Sequence, residues 1–157
     1  MNNHTAPSHA AGNSYAQLLQ EGRDLLAMGV CIEASEKVTL ALFEMETVLS
    51  FAANNPQLAD AYALQAAICT EVRKTFHGDD LKDRYLRHSL AAYKAEIACR
   101  ELGCETEALA KAHFLYGRTL AADLGDSRGY KEIARAMTIL ATMAQRDGVE
   151  VKAAWLY

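Results

Sequence analysis

The chain has 157 residues, 51% of them hydrophobic and 23% charged, which excludes wholesale disorder and allows one domain with its own core. Alanine (29) and leucine (19) dominate while proline (2) and glycine (9) are scarce, the usage of an all-α protein. A balance of 16 basic against 20 acidic residues leaves −4, too mild to imply nucleic acid or an anionic membrane as partner.

Residues 1–13 are rich in Asn, His, Ala, Ser and Gly and hold no apolar run, so they read as a disordered tail ahead of one domain over 14–157. Seven segments with helical periodicity follow. The first runs from about Tyr15 to Met28, with Tyr15, Leu18, Gly22, Leu25 and Leu26 on one face, Ser14 as cap and Gly29 as stop. The second runs from Ile32 to about Ala53 through Val38, Leu42, Met45, Leu49 and Ala52. Asn54-Asn55-Pro56 ends it, because Pro56 lacks an N–H and pushes Asn55 out of the helical region.

The third helix spans about Gln57 to Phe76 through Leu58, Tyr62, Ala66, Cys69 and Val72. His77-Gly78-Asp79-Asp80 breaks it and caps a fourth, about Leu81 to Leu102, whose buried stripe is Leu81, Tyr85, Leu86, Leu90, Tyr93 and Ile97. Beyond Gly103 a fifth covers about Thr106 to Leu124, with Leu109, His113, Tyr116, Gly117 and Leu120 adjacent. A sixth, about Arg128 to Arg146, runs through Tyr130, Ile133, Met137 and Leu140, and a short seventh covers Val149 to Tyr157. Turns this short favour antiparallel neighbours.

Small residues sit mid-helix in the odd-numbered helices: Gly22, Ala66 with Ala67, and Gly117. A mid-helix glycine costs about 1 kcal/mol relative to alanine, so close packing of a neighbouring helix against the bare backbone must offset it. Gly22, Gly29, Ala34, Ala41 and Leu42 fall at offsets that resemble the tetratricopeptide-repeat family. Leu115-Tyr116-Gly117 with Ala134 and Ala141 is similar to it more loosely, as are Ala63 to Ala67 with the helix end Ala95 to Gly103. The centres lie 44 residues apart (22 to 66) and then 51 apart (66 to 117), which lengthens the helices. The resemblance implies stacked antiparallel hairpins, a short right-handed array of six to seven helices. It also implies a concave groove lined by Ala16, Leu19, Arg23 and Leu26, by Asp60, Ala63, Ala67 and Thr70, and by Lys111, Phe114, Arg118 and Ala121. Of these, Arg23, Asp60, Thr70, Lys111, Phe114 and Arg118 are the expected ligand contacts.

No phosphate-cradling glycine loop, nucleophile elbow, HExxH or paired CxxC occurs. Cys99 and Cys104, with His88 and His113, are the nearest thing to a zinc set; reduced, buried thiols explain Cys31, Cys69, Cys99 and Cys104 more simply. His77, Asp79 and Asp80 read as a helix-terminating turn. Neither a metal nor a cofactor is expected. Helix two is acidic (Glu33, Glu36, Glu44, Glu46) and helix four basic (Lys82, Arg84, Arg87, Lys94, Arg100), as solvated faces or as docking surfaces of opposite sign. Trp155, Leu156 and Tyr157 either fold back over helix six or meet another copy or partner.

The reading that results is a cytoplasmic, non-enzymatic protein- or peptide-binding module, an adaptor or chaperone. The alternatives are a small-molecule or peptide sensor, and an enzyme built around His113, Cys104 or His88.

Overall fold

In a computed structural model the described residues are 10–48, 55–103, 106–148, 150 and 152–156; the burial of side chains is described from Ser14 on and not for Val48. They form an all-α array of six helices: α1 (Ala10–Ala27), α2 (Cys31–Phe43), α3 (Pro56–Thr75), α4 (Asp79–Glu101), α5 (Glu107–Arg118) and α6 (Gly129–Asp147). Each helix packs on the next along the chain, so three hairpins stack side by side. Among the described residues no helix is long and apolar enough to cross a membrane.

Local chemistry sets the boundaries. Gly29 and Gly148 take positive φ (78° and 67°) just past α1 and α6, where only a residue without Cβ is unstrained. Asn55 caps α3 by accepting from the Gln57 N–H, with Pro56 at the first helical position. Thr106 caps α5 by accepting from the Leu109 N–H. Helices α2 and α5 each continue as a π-helical turn, Glu44–Val48 and Thr119–Asp123.

Several expectations need correction. Helix α1 begins at Ala10, so Ser14 lies inside it; of the expected tail, residues 1–9 lie outside the described residues. Helix α4 starts at Asp79, capped by Gly78 without a side-chain bond, and Asp79 and Asp80 complement the dipole of its first turn. The expected seventh helix is a 3₁₀ turn, Ala154–Leu156. In α6 the expected stripe is rotated: Tyr130 and Met137 are exposed, and Gly129, Ala136, Ile139 and Leu140 are buried.

That rotation follows from the close approach of α5 and α6 at two glycines. A Cβ placed on Gly117 would sit 2.5 Å from the Gly129 carbonyl oxygen, and one on Gly129 would sit 2.3 Å from that of Gly117. Backbone meets backbone there, so the smallest residues of α6 face inward. Gly22 plays the same part in the first hairpin, its missing Cβ filled by Val38 Cγ2 at 2.6 Å. Gly22 is followed at 12 and 19 residues by Ala34 and Ala41, and Gly117 at the same intervals by Gly129 and Ala136; all four followers are buried. Ala134 and Ala141, the expected match, are exposed.

Two core clusters result. One joins α1, α2 and α3 with Tyr85 and Cys99 of α4; the other joins Ile97 of α4 with α5, α6, Trp155 and Leu156. Ala66, Ala92 and Tyr93, packed against Leu115 and Tyr116, form a third, smaller cluster that shares Tyr116 with the second.

Candidate functional site

Helices α3 and α5 flank a cleft of about 310 Å³ whose floor is α4. Asp60, Ala63 and Ala67 line it from α3, Ala108, Lys111, Ala112 and Leu115 from α5, and Tyr93, Glu96 and Arg100 from α4. Four expected groove residues, Asp60, Ala63, Ala67 and Lys111, are thus brought together. The alanines hold it open, because every wall position they occupy would be filled by a longer side chain.

The electrostatics centre on Arg100. Its Nε donates to Glu96 Oε1 at 2.9 Å and its Nη2 to Asp60 Oδ1 at 2.8 Å, tying α4 to α3. Burial works against the Arg100 charge, but the two carboxylates outweigh it and hold its pKa above the usual value. Glu96 is only 5% exposed, and burial pushes its carboxyl up despite the Arg100 contact. Tyr93 is buried beside it and hydrogen-bonded to Thr70; burial raises its phenol. Lys111, at the α5 wall, is exposed.

The remaining expected contacts are placed as follows. Thr70 Oγ1 donates to the Ala66 carbonyl and reaches the cleft only through Tyr93. Arg118 lies 5.7 Å above the Phe114 ring, a cation–π contact. Phe114 also meets Trp155, ring centres 5.3 Å apart and tilted, and the Trp155 indole donates to Glu107 Oε1 at 3.1 Å. The segment of Trp155 and Leu156 therefore folds back on α5 and α6; Tyr157 lies outside the described residues. Arg23 and Ala16 are exposed on α1 and do not line this cleft, and Leu19 is buried in the core rather than in a groove.

The α4 floor was missed by the sequence reading. The signal was present as Glu96 and Arg100, an i,i+4 ion pair on the same stripe as Tyr93, but it is the sort of pair that surface helices also carry.

The metal and enzyme candidates do not converge. Cys31, Cys69 and Cys99 are buried free thiols, with Cys69 pushed up to about 12 by burial, and Cys104 lies outside the described residues. His88 is exposed and set edge-on to Tyr85. His113 is buried, with Nδ1 donating to Glu132 Oε2 at 2.6 Å. Its Nε2 is 3.2 Å from Glu101 Oε1 but outside hydrogen-bond alignment. Among the described residues no three His, Cys, Asp or Glu side chains are placed to hold a metal ion.

No protein-family model, no curated protein and no solved structure matches the chain.

Proposed function

We propose that this protein is a non-enzymatic binding module, a divergent tetratricopeptide-like array whose α3–α5 cleft receives a peptide or an extended segment of a partner protein. The observation that carries this reading is the cleft itself: alanine walls over a floor on which Arg100 is fixed between Asp60 and Glu96. A held guanidinium and buried carboxyl orient peptide amides, while Lys111 at the wall and Arg118 beyond it favour acidic side chains. The matching intervals of Gly22, Ala34, Ala41 and of Gly117, Gly129, Ala136 support the repeat reading. Three buried, unpaired thiols suit a reducing compartment such as the cytoplasm.

The test is fluorescence polarisation with dye-labelled peptides of acidic, basic and neutral sequence. Acidic peptides bind best, and the Lys111→Glu, Arg118→Glu double variant weakens them about tenfold or more, as loss of two charge contacts implies. Ala67→Tyr, at an exposed wall position, abolishes binding with unchanged circular dichroism. Equal binding of all three peptide classes to native and double variant would refute the proposal.

A further inference from the structure

The first and third hairpins share a register. Gly22, Ala34 and Ala41 each stand 95 residues before Gly117, Gly129 and Ala136. Carried along α2, the same interval sets Ser35, Thr39 and Leu42 against Tyr130, Ala134 and Met137 of α6. In the first hairpin those three positions are where the next hairpin docks. Ser35 Oγ and Thr39 Oγ1 meet the Gln65 amide of α3 at 3.3 and 3.2 Å, and Leu42 is buried in the core that α2 shares with α3. In the third hairpin the same positions are open. Tyr130 is 67% and Met137 40% exposed, and Ala134 and Ala141 are exposed as well.

This face is built to be covered. Tyr130, Ala134, Met137 and Ala141 are spaced by four, three and four residues, the seam of two helices packed side by side. From Ala136 to Gln145 the helix carries no charged residue. The exposed Thr138 and Thr142 donate their hydroxyls to carbonyls of their own helix, at 3.0 and 2.9 Å. The opposite end of the array is different. There α1 exposes Gln17, Gln20, Arg23 and Asp24, with Gln20 donating to Asp24 at 2.9 Å, the polar outer face that ends a stack of helices. Head-to-tail stacking would lay the apolar seam of α6 on that polar face. Two α6 seams match each other.

We propose that α6 is the self-association surface of this protein, pairing antiparallel with α6 of a second copy about a two-fold axis. Charge selects the direction. A parallel pair would set Lys131 beside Lys131 and Arg135 beside Arg135. An antiparallel pair centred between Met137 and Ala141 separates them along the axis by about 24 Å and about 12 Å, beyond the screening length of about 8 Å at physiological salt. One helix of 19 residues against another gives a transient interface, under about 1,200 Å², so the dimer forms at high protein concentration. The α3–α5 cleft takes no part in it, and the two readings stand or fall separately.

Sedimentation equilibrium of the full chain between about 10 μM and 1 mM tests the proposal. The native mass rises from 17.2 kDa towards twice that value and stops there. Met137→Glu and Met137→Lys each weaken pairing about tenfold or more by opposing like charges, with unchanged circular dichroism. An equimolar mixture of the two regains the dimer, because the crossing brings position 137 of both copies together. Ala141→Glu, at another exposed position, weakens pairing in the same way, and Arg23→Glu on the outer face of α1 leaves it unchanged. A native mass that stays at one chain up to 1 mM, a mass that climbs past two chains, undiminished pairing in Met137→Glu and Ala141→Glu, or a mixture that remains monomeric would each overturn the proposal.

Discussion

At Gly117 the missing side chain outweighs helix propensity. Alanine is the better helix former by about 1 kcal/mol, yet its Cβ would lie 2.5 Å from a backbone oxygen that cannot turn aside. Gly117→Ala should therefore lower stability by about 3 kcal/mol, the upper end for overpacking, in urea melts. Gly22→Ala, whose one tight contact is a methyl of Val38, with backbone only at ordinary distance, should cost about half as much. Gly22 and its followers were legible in the sequence because Ala34 and Ala41 recur in register. Gly129 and Ala136 stand at the same intervals, but a reading that assigns large apolar residues to the core chose Tyr130 and Met137 instead. It failed because a backbone-to-backbone crossing selects for smallness. Glu96 gives a second prediction at this scale. Burial raises its folded pKa above the ordinary 4.5, so the folded state holds the proton longer than the unfolded one. Its contribution is complete below pH 4.5 and is lost as pH rises through the raised value. Glu96→Gln should flatten that decline in pH-dependent urea melts.

Among the elements, the helices with strong caps and long apolar periods were readable, and the ends were not. Asn54-Asn55-Pro56 was legible as the stop of the second helix, and the structure adds that Asn55 and Thr106 cap α3 and α5, chemistry that acts within three residues. The C-terminal segment is too short to hold a helix on its own. It is a 3₁₀ turn kept in place by Phe114, Glu107 and the α6 core rather than by propensity. The turn's own sequence contains none of those partners, so only their arrangement in space reveals its fate. Trp155→Ala should cost about 1–3 kcal/mol, loosen the last hairpin first, and leave the protein's molar mass unchanged by light scattering. A drop in mass would mean that the segment joins two chains.

Across the whole molecule, two cores share one long helix. Tyr93 of α4 sits along that helix between Tyr85 of one core and Ile97 of the other, packed with Ala66, Ala92, Leu115 and Tyr116. Tyr93→Ala should cost about 3 kcal/mol and split a single denaturation transition into two, with amides of α5 and α6 exchanging before those of α2 and α3. An unchanged single transition would show that Arg100 with Asp60, and Arg73 with Asp123 (3.0 Å), couple the halves unaided. The all-α class and the hairpin order followed from periodicity and turn chemistry. The cleft did not, because it needs three helices that meet only in the folded chain. Trp155 has one more consequence. It is the sole indole of the sequence and shares a small hollow with Glu107, Ala108 and Lys111, at the mouth of the α3–α5 cleft. Its emission colour is thus a built-in gauge of whatever settles over Lys111, legible without any dye.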